Sequence, residues 1–332
     1  MSKVKIIAEV GVNHNGSLDI ATEMVKVAKN CGVDCVKFQI VKPEACISRF
    51  AQKAEYQIAN TGTNESQLEL CKSFELPFDA FGKLKEVCEK EKVEFLATPF
   101  DLDSVDYLKQ LKVDAYKIPS GEVTNLPYLR SIAVTGKPIY LSTGMCDLEE
   151  VKTTVRILKE NGAKEITVLH CTTDYPAKYE DVNLRAMISL KEKLNLPVGY
   201  SDHTEGIIIP VAAVALGAVV IEKHFTLDKT MKGPDHIASI EPDELREMVS
   251  AIKNIEAAIG NGEKEPATAE LKNINIVRKS IVAKCGIKEG DLFSEYNLTT
   301  KRPGNGISPM RWDDVVGRRA KRNFEMDELI EI

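Results

Sequence analysis

Eight short β-rich runs recur along the first 225 residues: VKIIAEVG (4 to 11), CVKFQI (35 to 40), VEFLATPF (93 to 100), DAYKIPSG (114 to 121), KPIYLSTG (137 to 144), EITVLHC (165 to 171), LPVGYSDH (196 to 203) and AVVIEKHF (218 to 225). Between them lie longer stretches of helical period, several opening directly after a capping residue: LDIATEMVKVAKN after Ser17, VDYLKQL after Asp101, LEEVKTTVRILKEN after Asp147 and PDELREMVSAIKNIEAAIG after Glu241. A strand followed by a helix returns parallel to its predecessor, so the pattern demands a parallel sheet covered by helices. Eight such units within about 260 residues match the size and repeat of a (β/α)₈ barrel, although counting alone leaves an open doubly wound sheet in play.

The placement of polar residues favours the barrel. Every run but the first carries its polar residues at the C-terminal end, and the first does so one turn later with Asn13, His14 and Asn15, which puts Glu9, Lys37, Gln39, Thr98, Lys117, Ser120, Glu122, Ser142, His170, Ser201, Asp202, His203, Glu222 and His224 on one rim. That rim is the face on which barrels keep their chemistry. The stretch from 41 to 76 is too long for a simple connection and is expected to form a lid or substrate wall. After Gly260 the composition turns polar, giving a linker at 261 to 275 and a small β-rich domain at 276 to 332.

Composition narrows the partners. The chain has 332 residues and a formal charge of −6, with basic and acidic residues interleaved, so it offers no basic stripe to nucleic acid. Neither a secretory signal nor an apolar run near the roughly 20 residues that span a bilayer is visible, and a cytoplasmic protein without membrane contact is expected. Eight scattered cysteines lack zinc-ribbon spacing and read as reduced thiols.

The rim residues suggest two sub-sites. Two lysines among hydroxyls suit an anion carrying phosphate and carboxylate. His203 and His224 end adjacent strands and are placed to share one divalent cation, with Asp202 and Glu222 as candidates to orient the imidazoles. Glu9, inside the apolar IIAEVGV, must be either ion-paired or catalytic, because an isolated buried carboxylate is costly. Lys223, by alternation, should point to the outer face and pair with a helix.

Taken together, AEVGVNHNG, VKFQ, TPFD, YKIPSGE, LSTGM, HCTTDYP, GYSDH, IEKHFTLDK with GPDH, and KRPGNGI closely resemble the bacterial sialic acid synthase family, which includes legionaminic acid synthases. The resemblance runs over essentially the whole chain. It implies a (β/α)₈ TIM barrel over 1 to 260 and an antifreeze-protein-like (SAF) domain, arranged as a homodimer in which each small domain caps the partner's barrel. The implied reaction condenses phosphoenolpyruvate with an N-acetylated hexosamine, giving a nine-carbon 2-keto sugar acid and phosphate. N-acetylmannosamine is the expected sugar, and 2,4-diacetamido-2,4,6-trideoxymannose, the substrate of an N,N'-diacetyllegionaminic acid synthase, is the alternative.

By the same resemblance Lys37, Thr98, Lys117, Ser120, Ser142 and Ser201 contact phosphoenolpyruvate, and His203 and His224 hold a divalent metal, Mn²⁺ first, with Mg²⁺ or Co²⁺ as alternatives. Glu9 manages protons at the reacting carbons, with Glu122 as a weaker candidate, and His224 touches the chemistry directly as a metal ligand. Gln39, Tyr175 and Asp235 resemble sugar contacts, and Arg302 resembles a residue sent across the dimer to the sugar's N-acetyl group. Thr173 departs from the Asn of some members and leaves one substrate hydrogen bond open. Two other classes would suit parts of the pattern: a metal hydrolase, which leaves the two lysines without a ligand, and an ice-binding protein, which leaves the charged rim unexplained.

Overall fold

Each of the eight expected β-rich runs contains a strand. The computed structural model describes residues 3–54, 57–58 and 65–332. The strands are β1 (Lys5–Gly11), β2 (Cys35–Ile40), β3 (Glu94–Pro99), β4 (Tyr116–Ile118), β5 (Ile139–Ser142), β6 (Ile166–His170), β7 (Val198–Asp202) and β8 (Val220–His224). All are parallel, in the order β3-β2-β1-β8-β7-β6-β5-β4. β3 and β4 lie side by side at the seam without a hydrogen-bonded ladder. Strand neighbours that follow chain order around a ring make this a (β/α)₈ barrel and exclude the doubly wound alternative, whose strand order must reverse.

The helices start where their caps stand. Ser17 Oγ accepts from Ile20 N at 3.3 Å, Asp101 Oδ1 accepts from Ser104 N at 2.8 Å, and Asp147 forms a reciprocal capping box with Glu150. These caps satisfy amides that the first helical turn leaves without partners. Their helices, Leu18–Cys31, Leu102–Gln110 and Leu148–Glu160, bury one apolar stripe each against the outer face of the barrel. Strand β4 is shorter than expected, because after Pro119 the chain turns into a 3₁₀ helix at Ser120–Glu122.

The chain divides into two compact units, the first ending at Gly260 and the second spanning Asn261–Ile332. The stretch expected as a linker holds the start of a helix, Thr268–Val277, and groups with the second unit. That unit pairs β9 (Ser280–Ala283) antiparallel with β10 (Leu298–Lys301) around a small core of Ile281, Ile287, Phe293, Leu298, Val315 and Phe324. Among the described residues no helix is long and apolar enough to cross a membrane.

Candidate active site at the mouth of the barrel

Alternation along the strands builds the site. Ile7, Cys35, Leu96, Leu169 and Val220 form an apolar layer inside the barrel. Two residues further along the same strands, pointing the same way, stand Glu9, Lys37, Thr98, Cys171 and Glu222. The register brings them together, since Glu9 pairs with Lys37 on one side and with His224 on the other, and Ser201 pairs with Glu222. Above them opens a cavity of about 340 Å³, the size of a small-ligand pocket.

The floor of this cavity is a buried charge cluster. Lys37 Nζ lies 3.0 Å from Glu9 Oε2, 3.5 Å from Glu222 Oε1 and 3.0 Å from Thr98 Oγ1. Lys117 Nζ lies 3.2 Å from the same Glu222 oxygen, to which Ser201 Oγ donates at 2.9 Å. All four charged side chains are at most 4 % exposed. Burial alone would raise the Glu222 carboxyl, but Lys117 and Lys37 hold it down to about 2. Glu9 moves the other way: burial and the Glu222 charge raise it, and Lys37 only partly compensates.

Lys117 is the cation short of partners. Burial lowers its affinity for a proton, Lys37 repels it, and Glu222 is shared. An anion brought beside it would supply the missing charge, and Ser142 Oγ stands buried with no hydrogen-bond partner among the described residues. Ser120 Oγ is 2.8 Å from the amide of Gly144. A side chain at Gly144 would place its Cβ 2.2 Å from Thr173 Oγ1 and 3.0 Å from Ser120 Oγ, so it would have to displace these cavity-lining hydroxyls.

The two expected metal histidines face each other with ring centroids 5.5 Å apart. His203 Nδ1 donates to Thr172 O at 2.6 Å, which leaves Nε2 as the acceptor. His224 Nδ1 is buried without a partner among the described residues. Burial drives the His203 pKa down to about 4 and, together with His203 itself, keeps His224 well below its ordinary value. Neutral imidazoles with open lone pairs are what a divalent cation requires. Among the described residues no cluster of three His, Cys, Asp or Glu has metal-binding geometry.

Beside the histidines, the Tyr175 ring centroid is 4.1 Å from that of His203. Gln39 Nε2 donates to Glu9 Oε1 at 3.1 Å. Gly11, at φ +54°, makes the bulge that lets β1 turn there; a Cβ on it would sit 3.3 Å from both Gln39 Nε2 and Glu9 Oε1. Asp235 reaches the cavity from the loop after β8, and burial together with the nearby Glu9 charge raises its pKa to about 7.

Not every expected residue joins the site. Glu122 does not line the cavity; the 3₁₀ turn carries it outward, where its carboxylate accepts from Asn125 Nδ2 at 2.6 Å. Asp202 does not orient an imidazole but pairs at 2.5 Å with Lys223, and Thr204 Oγ1 donates to it at 3.0 Å. Lys223 points outward as alternation demands, yet its partner is the neighbouring strand rather than a helix, and both members of the pair are fully buried. His170 Nε2 donates to Val182 O at 2.7 Å and so ties a loop. Arg302 lies exposed in the second unit, its Nε donating to Val277 O at 3.1 Å.

Other contacts had no signal in the sequence. His236 sits 2.7 Å from Thr226 Oγ1 and 3.2 Å from Asn15 Oδ1, and this chain of contacts fixes the loop that carries Asp235. The NHN motif after β1 was visible, but its partners lie over 200 residues away. Cys46, Ile47, Leu70, Cys71 and Phe74 line the cavity from the long insertion, which was expected as a wall without its residues being distinguishable.

Comparison with known proteins agrees with this geometry. The NeuB family model matches residues 24–264 and the SAF domain model matches 278–331. The chain is 55% identical to the N,N'-diacetyllegionaminic acid synthase of Campylobacter jejuni subsp. jejuni serotype O:2, over 99% of both chains. It is 45% identical to the enzyme of the same name from Legionella pneumophila subsp. pneumophila, over 96% of this chain and 91% of that one. Among solved structures it resembles the N-acetylneuraminic acid (sialic acid) synthetase of Leptospira borgpetersenii serovar Hardjo-bovis, with TM-score 0.72 and 36% identity over 82% of this chain and 90% of the other. With a buried lysine-carboxylate floor and two neutral histidines at the mouth of its barrel, the chain belongs to the NeuB family.

Proposed function

We propose that this chain condenses phosphoenolpyruvate with 2,4-diacetamido-2,4,6-trideoxymannose, yielding N,N'-diacetyllegionaminic acid and phosphate. The observation that carries the reading is the Lys37–Glu222–Lys117 bridge beside two neutral histidines in one cavity. The choice of sugar rests on the greater likeness to the legionaminic acid synthases than to the sialic acid synthetase. It replaces N-acetylmannosamine, the sugar first expected from the motifs.

Lys37 and Lys117, with Thr98, Ser120, Ser142 and Ser201, receive the phosphate and carboxylate of phosphoenolpyruvate. The anion completes the charge that Lys117 lacks. Its C3 then bonds to the sugar's aldehyde carbon, water adds at C2, and phosphate leaves with the bridging oxygen. Glu9 carries a raised pKa and a hydrogen bond from Gln39, which suits it to hold or release a proton at the reacting carbons.

His203 and His224 would hold a divalent cation, Mn²⁺ first with Mg²⁺ or Co²⁺ as alternatives, as the family resemblance implies. When bound, such a cation supplies Lewis-acid polarisation of the aldehyde oxygen. Gln39, Tyr175 and Asp235 orient the sugar. In a homodimer with exchanged small domains, Arg302 would reach the N-acetyl group of a sugar in the other barrel; Arg302→Ala would then raise KM for the sugar and leave that for phosphoenolpyruvate unchanged. A biosynthetic role on two soluble metabolites suits the cytoplasm.

The test is phosphate release by the purified protein with Mn²⁺, phosphoenolpyruvate and the diacetamido sugar. Label in the bridging oxygen of phosphoenolpyruvate should leave with the phosphate. Turnover without phosphoenolpyruvate would instead indicate a hydrolase.

A further inference from the structure

The strand ends account for the polar floor of the cavity, and the wall opposite is of another chemistry. It comes from the insertion after β2, which contributes Cys46, Ile47, Leu70, Cys71 and Phe74 to the lining. Among the described residues the only charged lining residue of this stretch is Glu75, which is exposed. Gln67 stands in the same wall, and its carboxamide makes no hydrogen bond among the described residues.

The wall is anchored from outside. Lys42 N donates to Asp101 Oδ2 at 2.8 Å, Lys72 pairs with Glu44 at 2.5 Å across the helices Pro43–Cys46 and Gln67–Ser73, and Ser66 caps the second helix by a reciprocal box with Glu69. Leu70, the centre of the wall, is 4 % exposed. A surface tethered in this way keeps its apolar side chains turned to the cavity.

We infer that this wall is the subsite for the C4 to C6 end of the sugar and that it sets the choice of sugar. The inference rests on the condensation proposed above. An open-chain hexose whose aldehyde lies at the histidines carries its far end away from the charged floor. N-acetylmannosamine brings hydroxyls at C4 and C6; Gln67 can pair with the one at C4 through a single contact, but the C6 hydroxyl buried against Leu70, Cys71 and Phe74 is left without a partner. The trideoxy sugar brings a methyl at C6 and an acetamido group at C4. The methyl gains from the apolar surface, and the amide finds both a donor and an acceptor on Gln67.

The test compares kcat/KM for the two sugars in the wild type, in Gln67→Leu and in Leu70→Asn, with KM for phosphoenolpyruvate and thermal melting measured on each. The wild type should prefer the diacetamido sugar by at least about 10-fold, the lower end of what one apolar group discriminates. Gln67→Leu should raise KM for the diacetamido sugar about 10-fold and change that for N-acetylmannosamine less than about 2-fold, while Leu70→Asn should shrink the preference by about 10-fold. Gln67 is half-buried at a helix end, so its variant reports even where Leu70→Asn unfolds. A wild type that prefers N-acetylmannosamine would overturn the assigned sugar. A wild type that prefers the diacetamido sugar, with a preference unchanged in folded Gln67→Leu, would overturn the role of the wall alone.

Discussion

Ile7 and Glu9 stand two residues apart on one strand and face the same interior, as do Cys35 and Lys37, Leu96 and Thr98, and Val220 and Glu222. The lower layer is buried and apolar; the upper one contains two lysines and two glutamates with almost no access to water. One pleat separates a layer that contributes stability from a layer that strains it. Charges this deep are tolerated because each lies on a strand whose outer face is packed against helices, so the fold does not depend on the charges' mutual attraction.

Substituting one residue in each layer should separate the two. Lys117→Met should lower kcat/KM by about 10³-fold, the scale of losing one preorganised charge at a reacting anion. Its folding should barely change, since Glu222 keeps Lys37 and Ser201 as partners. Stopped assays and thermal melting on the same preparation would show this, and an unfolded variant would make the upper layer structural. Leu169→Ala, in the lower layer, should cost about 2–5 kcal/mol of stability in a denaturant titration and leave KM for phosphoenolpyruvate alone.

A smaller effect is expected at the edge of the upper layer. Asp235, raised to about 7, holds in the folded state a proton that the unfolded chain releases near 3.8, so its contribution to stability falls as pH rises from about 4 to about 7. His14 and His203, both lowered to about 4, act oppositely: the unfolded chain takes up protons near 6.5, and stability is lost as pH falls from there towards 4. Asp235→Asn should therefore match the wild type in melting temperature near pH 4 and exceed it at pH 8. Smallest of all, Asp147→Ala removes a helix cap that belongs to neither layer and should cost about 1 kcal/mol without altering kcat.

The two layers were unequally legible in the sequence. The strands, the rim and the two histidines followed from alternation and from where polar residues fall in each run. Lys223 shows the limit: alternation gave its direction, but its pairing with Asp202 depends on which strand lies beside β8. Glu122 was misplaced by a single 3₁₀ turn after Pro119, which no periodicity signals. The wall at Leu70 and Phe74 has no repeat of its own; the contact of Lys72 with Glu44 helps to fix which of its faces meets the cavity.

On the function proposed above, this barrel mouth joins phosphoenolpyruvate to a diacetamido-trideoxy sugar. The most direct test is competition in one vessel: wild-type protein, Mn²⁺, limiting phosphoenolpyruvate and equal amounts of N-acetylmannosamine and 2,4-diacetamido-2,4,6-trideoxymannose, with the keto acids counted by mass spectrometry. The product ratio equals the ratio of the two kcat/KM values. N,N'-diacetyllegionaminic acid should predominate by about 10-fold or more. Equal products, an excess of N-acetylneuraminic acid, or no keto acid at all would contradict it.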